Sequence, residues 1–211
     1  MRIIEPSHEF LEAFDGLEMV KSIERMGRIC YKSEGNISDT SYRKFLQNLI
    51  SRGHESVIEH GKVSVLVICD RGVSHEIVRH RIASYSQEST RYCNYSQDKF
   101  GNELTFIRPC FWTADSPAFA VWKASMEAAE RDYFRLLELG ATPQEARSVL
   151  PNSLKTEIVV TMNLREWRHF FKLRTAAAAH PQMRQTAAAL LRDFRSRIPV
   201  IFDDIAAYDG Q

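Results

Sequence analysis

The chain has 211 residues, of which 44% are hydrophobic and 26% are charged, and its formal net charge is +1. This length favours one large domain, and we expect a single domain over residues 1–211. A charge near zero argues against a protein that coats nucleic acid, because such proteins carry a strong basic excess. No apolar run approaches the roughly 18 residues that span a membrane. The first residues lack a secretory signal and the four cysteines are scattered, so we expect a reduced, cytoplasmic protein without a membrane partner.

Caps and apolar runs indicate the elements of the first half of the chain. Residues 38–40 (SDT) offer caps for a helix that ends at Gly53. Residues 62–69 (KVSVLVIC) are rich in valine and isoleucine, which is typical of a buried strand. A helical turn is predicted at residues 73–78, directly after this strand.

Proline and capping residues mark two helices in the next part of the chain. Residues 115–117 (DSP) place a proline in the first turn of a predicted helix that runs to Gly140. Residues 142–145 (TPQE) form a capping box, which opens a short helix that Pro151 stops.

The last third of the chain is predicted to hold a second strand and two helices. Residues 154–162 have Ile158, Val159 and Val160 at their centre, as expected of a strand. Asn163 then caps a helix, and Pro181 begins the last one. Helices interleaved with few strands indicate a mixed α/β (α+β) fold.

The segment 79–92 (RHRIASYSQESTRY) carries the strongest chemical signal. Two arginines about 7 Å apart repel by roughly 2 kcal/mol at an effective dielectric constant near 20, so a fold tolerates them best when an anion lies between them. Arginine suits phosphate because its planar group donates two hydrogen bonds at once. A solvated basic loop is the alternative, but the segment follows an apolar strand and contains no lysine or glycine. Composition therefore favours an anion-binding site for a nucleotide.

Four separated motifs resemble those of one enzyme family, the flavin-dependent thymidylate synthases. The first is Arg-His-Arg-x7-Ser, continued by Thr-Arg-Tyr, at residues 79–92. The second, GHESVIEH at residues 53–60, is similar to the family's Gly-His-x-[Ser/Thr]-x-x-Glu-His element. The other two are EARSVLP at residues 145–151 and Asn163-x-Arg165, followed by Leu173-Arg174 before His180. Their order and approximate spacing hold from about residue 20 to residue 200.

This resemblance implies a central, mostly antiparallel sheet flanked by helices and a homotetramer with active sites at subunit interfaces. It implies synthesis of dTMP from dUMP with FAD as cofactor, and with NADPH and 5,10-methylenetetrahydrofolate as co-substrates. No covalent enzyme nucleophile, metal or nucleic acid takes part. FAD would contact a set of residues that the resemblance carries over as Ser56, Glu59, Arg79, His80, Arg81, Gln87, Asn163, Arg165 and His169. Asn163 and Arg165 lie at a predicted helix start, where free N–H groups attract anions.

The resemblance also assigns the nucleotide site. Arg91 and Arg147 would bind the phosphate of dUMP, and the other residues of the set are Glu76, Arg79, Ser89, Thr90 and Arg174. Glu76 either contacts the nucleotide or supports an arginine, because family members often carry glutamine there.

Three residues are assigned catalytic roles by the resemblance: Arg174, Ser89 and His54. Arg174 shares a predicted helix face with Leu164, Trp167 and Phe171, so it should point toward the core and need an anionic partner. It would stabilise an enolate-like form of the uracil. The alternative for Arg174 is an arginine that interacts favourably with the dipole at a helix C-terminus. His54 could equally be a residue at the edge of the core.

The same helix carries further cations whose ordinary interpretation is a solvated basic face. For Arg168 and Lys172 we expect that interpretation, whereas Arg165 is assigned to the cofactor. Tyr92 and Tyr95 border the motif, and we expect both to serve packing.

Three alternative functions make different predictions. A thymidylate synthase with a cysteine nucleophile is disfavoured, because the one Pro-Cys pair, Pro109-Cys110, is followed by Phe111 instead of glutamine or histidine. A module that binds single-stranded nucleic acid through residues 79–92 would show steep salt dependence and no flavin colour. A flavin reductase would oxidise NADPH without dUMP; a Gly-x-Gly-x-x-Gly motif for such a dinucleotide site is absent from the chain.

Overall fold

The computed structural model describes residues 1–98 and 101–206. Its helices and strands, in chain order, are β1 (Arg2–Ile4), β2 (Ser7–Phe10), α1 (Gly16–Ile29), α2 (Ser41–Ser51), β3 (Lys62–Asp70), α3 (Arg71–Ile77), β4 (Ser84–Gln87), β5 (Thr105–Ile107), α4 (Pro117–Glu138), α5 (Pro143–Ala146), β6 (Lys155–Asn163), α6 (Leu164–Arg174) and α7 (Pro181–Arg197). Short 3-10 turns span Glu34–Asn36, Glu55–His60 and Arg147–Val149. The fold is mixed α/β, as predicted. In the described part of the chain, no helix is both long and apolar enough to cross a membrane.

The strands form two sheets. One has four strands in the order β2-β3-β6-β4, and the other pairs β1 with β5 in parallel. β3 and β6 are antiparallel, because Ser64 lies opposite Thr161 while the backbone of Arg71 bonds to that of Leu154. The expected antiparallel sheet is therefore present, together with a small parallel pair that was not predicted.

The chain divides into two compact units, and β3 and β6 each run from one into the other. Among the described residues, unit 1 comprises 1–8, 66–79, 85–98 and 101–159, and unit 2 comprises 9–65, 80–84 and 160–206. The core of unit 1 includes Phe106 and Tyr133, both fully buried. The core of unit 2 is aromatic: Phe171 and Phe194 have ring centroids 5.1 Å apart, with Trp167 and Phe202 packed around them.

Side-chain caps confirm the predicted starts of α4 and α6, whereas Thr40 precedes α2 without a side-chain cap. Ser116 accepts a hydrogen bond from the backbone N–H of Phe119 at the start of α4, and Asn163 accepts one from Glu166 at the start of α6. The capping box at the start of α5 is also present. Helix α1 was not predicted, although Asp15 caps it by accepting from two backbone N–H groups.

Candidate active site

Unit 2 contains a cavity of about 500 Å³ beside the start of α6. Its walls come from the 3-10 turn before β3, from the loop after His80 and from the first turns of α6. Charged groups dominate these walls, with one apolar side chain among them; the lining residues are Glu55, Glu59, Ile82, Asn163, Arg165, Glu166, His169 and Lys172. Asn163, Arg165, His169 and Glu59, all assigned to the cofactor from the sequence, therefore line one cavity.

A chain of three side chains leads from this cavity to Arg174. The Nδ1 atom of His80 lies 3.1 Å from Oε1 of Glu166, and the Nε–H of Arg174 donates to Nε2 of His80 at 3.1 Å. His80 is buried, and Arg174 is half-buried at the last turn of α6. The sequence predicted that Arg174 points inward, and the structure adds an imidazole acceptor at its Nε–H.

Burial determines the protonation of His80 and shifts the pKa of Glu166 in this group of hydrogen-bonded side chains. Burial, together with the charges of Arg174 and His169, lowers the pKa of His80 to about 4, so the ring is neutral at pH 7. Burial also raises the pKa of the Glu166 carboxyl, although His169 opposes this. The rings of His169 and Phe170 pack edge-on against His80, with centroids 5.4 and 5.0 Å away, and fix its plane. A rigid, neutral imidazole therefore contacts the guanidinium.

Arg168 corrects the expectation of a solvated basic face on α6. Its side chain is 1% exposed. It donates two hydrogen bonds to Asp204, at 2.6 and 2.8 Å, one to the carbonyl of Ile201, and one to Glu55 at 3.2 Å. The prediction was wrong because position 168 lies on the apolar face, four residues after Leu164 and three before Phe171. Through Ile201 and Asp204, Arg168 therefore anchors the segment after α7 to the core of unit 2.

Two further cations of α6 are exposed, as expected for Lys172, whereas the assignment of Arg165 to the cofactor stays a prediction. Lys172 is exposed, and its ammonium lies 3.5 Å from Glu55. Arg165 is also exposed and donates to Glu59 at 2.6 Å. The carboxylates of the 3-10 turn are thus held by the cations of α6, which shapes the wall of the cavity.

In unit 1, Arg91 lies beside the segment that carries Arg147. The Nε–H of Arg91 donates to Gln144 at 3.2 Å, and Gln144 and Arg147 are three residues apart in one short helical stretch. Ser89 accepts a hydrogen bond from the backbone N–H of Arg91 at 3.3 Å. Both guanidinium groups are exposed. This hydrogen bond joins Arg91 to the helical stretch that carries Arg147, and a phosphate site formed by the two arginines stays a prediction.

Gln87 is held inside unit 1 by its own hydrogen bonds. Its amide donates to Ser74 at 2.9 Å and to Thr156 at 3.2 Å. Thr90, three residues later in the sequence, is buried. Arg79, two residues after the end of α3, is exposed. A contact between Gln87 and a cofactor stays a prediction and would involve its carbonyl oxygen.

The two predicted residue sets separate between the units. Unit 2 holds most of the cofactor set and also Arg174 and His54: His54, Ser56, Glu59, His80, Arg81, Asn163, Arg165, His169 and Arg174. Unit 1 holds most of the nucleotide set, namely Glu76, Arg79, Ser89, Thr90, Arg91 and Arg147, and also Gln87 of the cofactor set. The roles assigned to these residues stay predictions.

The sequence motifs assigned no site role to Glu166 or to Glu55. The position of Glu166 offered one signal, because it precedes His169 by three residues and so shares its face of α6. Its pairing with His80 joins residues 86 apart in sequence and left no local pattern.

The atoms of His80, Glu166 and His169 could in principle bind a metal ion, since their ligand atoms lie within 4.8 Å of one another. Both ring nitrogens of His80 already have partners, and the adjacent guanidinium repels a second cation. The expectation of a site without metal stays a prediction.

The two tyrosines differ. Tyr95 is buried, packs against Tyr133 with ring centroids 5.8 Å apart, and donates to Glu88 at 2.8 Å, as a packing residue should. Tyr92 is 76% exposed and lies beneath the guanidinium of Arg91 at 5.2 Å, so its assignment to packing was wrong. Residues 91 and 92 are both exposed, in a turn where the backbone N–H of Tyr92 donates to the carbonyl of Ser89.

Comparison with known proteins identifies the family of this chain. A family profile described as thymidylate synthase complementing protein (Thy1) matches residues 16–200. The flavin-dependent thymidylate synthase of Geobacter sulfurreducens is 38% identical over 184 residues, which cover 84% of this chain and 78% of the relative. That of Pyrococcus furiosus is 35% identical over 176 residues, covering 83% and 71%.

A solved structure shares the fold. The UMP/dUMP methylase PolB from Streptomyces cacaoi, bound with 5-Br dUMP, superposes with a TM-score of 0.77 over 96% of each chain, at 23% sequence identity. At this identity the likeness concerns the fold alone. On the profile match and the sequence relatives together, the chain belongs to the Thy1 family of flavin-dependent thymidylate synthases.

Proposed function

We propose that this chain makes dTMP from dUMP, with 5,10-methylenetetrahydrofolate as carbon donor, FAD as cofactor and NADPH as reductant. Membership of the family supports the overall reaction, since relatives at 38% and 35% identity are named for it. The observation that carries the proposal is the contact between Arg174 and the neutral ring of His80, which orients a guanidinium without neutralising it.

The cavity of unit 2 fits part of a flavin by its donor set. Asn163, Arg165 and His169 offer donors at the start of α6, and Ile82 offers an apolar surface. The carboxylates of Glu55 and Glu59 suit the N–H and O–H groups of such a ligand, while the exposed Arg79 and Arg81 suit its phosphates. Ser56 and Gln87 complete the proposed cofactor set. When bound, reduced FAD supplies the reducing equivalents that the methyl transfer requires.

The nucleotide would be held mainly by residues of unit 1. Arg91 and Arg147 would bind its phosphate. Arg91 donates to Gln144, which lies in the same helical stretch as Arg147. Ser89 and Thr90 would lie along the nucleotide, with Glu76 contributed by α3 and Arg79 by the segment just after it. Arg174 would stabilise negative charge on the uracil ring and so make its C5 carbon nucleophilic, which is electrostatic stabilisation of the transition state. His54, an exposed residue, would lie where folate stacks.

We also propose a homotetramer with active sites at subunit interfaces, acting in the cytoplasm on these small molecules, without nucleic acid. The resemblance supports this assembly, and size measurement by light scattering tests it.

A reconstitution assay tests the proposed reaction. The purified protein is incubated with dUMP, methylenetetrahydrofolate, FAD and NADPH, and dTMP is measured by chromatography with each component omitted in turn. We expect flavin absorbance in the purified protein and dTMP only in the complete mixture. NADPH oxidation without dTMP would instead indicate a flavin reductase. A colourless protein that binds single strands with steep salt dependence would indicate a nucleic-acid module.

A further inference from the structure

The hydrogen bonds of His80 determine where its proton lies. The Nε atom of an arginine always carries a hydrogen and can only donate. Since Arg174 donates through Nε to Nε2 of His80 at 3.1 Å, Nε2 must be unprotonated. The single proton of the neutral ring is therefore on Nδ1, where it is donated to Oε1 of Glu166 at 3.1 Å.

This arrangement is not the one that an imidazole adopts by itself. In water the neutral histidine side chain favours the proton on Nε2. With the proton there, two donors would face each other between His80 and Arg174, and the guanidinium would have to move. An acceptor at Nδ1 is thus required to keep Nε2 free for Arg174.

Glu166 is built to be that acceptor. It lies in the first turn of α6, where Asn163 accepts its backbone N–H at 2.8 Å and fixes the turn. Its side chain and that of His80 are 9% and 2% exposed, so water competes poorly for either group. Glu166 also lines the cavity, whereas Arg174 ends the same helix.

We propose that Glu166 is a positioning residue that keeps the proton of His80 on Nδ1 and thereby orients the guanidinium of Arg174. Glu166 acts through His80 and need not touch the uracil. The effect on dTMP formation rests on the proposed function, but the position of the proton does not.

Nitrogen NMR of histidine tests the proton directly, because the chemical shifts of Nδ1 and Nε2 differ between the two tautomers. The full chain is labelled with ¹⁵N-histidine, and His80→Asn identifies the resonances of His80 among the seven histidines. At pH 7 we expect the Nδ1–H tautomer in the parent and a shift to the Nε2–H tautomer in Glu166→Met. Glu166→Gln should stay close to the parent, because its carbonyl oxygen still accepts from Nδ1–H.

Glu24→Met is the matched control. Glu24 is another buried glutamate of unit 2, paired with Arg28 at 2.6 Å. Its loss should reduce stability without moving the proton of His80. The inference is wrong if the parent carries the proton on Nε2, or if Glu166→Met leaves it on Nδ1.

Kinetics provide a second measurement. A catalytic group displaced by about 1 Å can cost about a hundred-fold in rate. We therefore expect Glu166→Met to lower kcat about ten- to a hundred-fold, with a smaller change in KM for dUMP. In an Arg174→Ala background the same substitution should add no further loss, because both act through one guanidinium. Additive losses would overturn the inference. A parent that makes no dTMP would overturn the proposed function instead, and the NMR result would still decide the position of the proton.

Discussion

Arg168 and Arg174 lie six residues apart on one helix and have opposite surroundings. Arg168 is buried and donates to the carboxylates of Asp204 and Glu55 and to the carbonyl of Ile201. Arg174 is half-buried and donates its Nε–H to the neutral ring of His80. Residue type and helix are the same, so the difference comes from the partners.

The comparison shows how different partners suit an anchoring cation and the cation that we propose acts on the uracil. A carboxylate holds a guanidinium and also cancels its charge, which suits Arg168 as a link between α6 and the segment after α7. A neutral imidazole holds a guanidinium in place and leaves the charge for an anionic ligand. Since the pKa of His80 is lowered to about 4 by burial and nearby positive charge, this condition persists at pH 7.

The largest expected effect is on the reactive cation. Arg174→Ala should lower dTMP formation about a hundred- to a thousand-fold, because it removes a donor that stabilises charge in the transition state. Bound flavin, measured by absorbance, should stay at the parent level. Arg192→Ala, an exposed arginine on α7, is the control and should match the parent. If Arg174→Ala forms dTMP at the parent rate, the proposed role of Arg174 in the reaction is wrong.

The anchoring cation should affect stability instead. Arg168→Met should lower the free energy of unfolding by about 3 kcal/mol, because the buried side-chain network with Asp204 and Glu55 is broken. Urea denaturation followed by circular dichroism measures this change. Arg135→Met removes an exposed pair with Glu138 and should cost under about 1 kcal/mol. Equal losses in the two variants would contradict an anchoring role for Arg168.

A third cation extends the comparison to an exposed position. Arg79 is exposed at the end of α3, and by resemblance it contacts the flavin. Arg79→Ala should weaken flavin binding about ten-fold or more, since a hydrogen bond from a charged group contributes roughly 1.5–3 kcal/mol. Titration of the flavin-free protein with FAD measures the change, and Arg131→Ala serves as an exposed control. Unchanged affinity would remove Arg79 from the cofactor set.

The smallest expected effect concerns pH. The hydrogen bond from Arg168 holds the pKa of Asp204 below its usual range, with burial opposing it. A lowered pKa in the folded state adds stability above the unfolded pKa near 4, and this stability is lost as pH falls through the folded pKa. Between pH 7 and pH 3 the free energy of unfolding should therefore fall less in Asp204→Asn than in the parent. A parallel fall in both proteins would show that Asp204 contributes nothing to acid sensitivity.

The sequence predicts elements where local signals are strong and misses relations that depend on distant residues. The caps at Ser116 and Asn163 and the apolar run of β3 predicted three elements correctly, because caps and periodicity act within a few residues. Helix α1 carries the same kind of cap at Asp15, so its start was also predictable from local sequence.

The candidate site shows the same limit. The motifs assigned roles to His80 and Arg174, which stay predictions. No sequence pattern joins His80 to Glu166, since that contact depends on the packing of the loop after α3 against α6. The prediction that Arg168 is solvated rested on its charge, although its position lies on the apolar face of α6. Helical periodicity would have placed it inside, and its partner Asp204 lies 36 residues away.

The central claim is that the arginines at positions 79–91, with Arg147 and Arg174, hold two phosphorylated molecules. A crystal structure of the protein with FAD and dUMP tests it most directly. The account predicts flavin against Asn163, Arg165 and His169, and the dUMP phosphate on Arg91 and Arg147 with its uracil at Arg174. Ligands bound elsewhere, with these arginines facing only solvent, would contradict it.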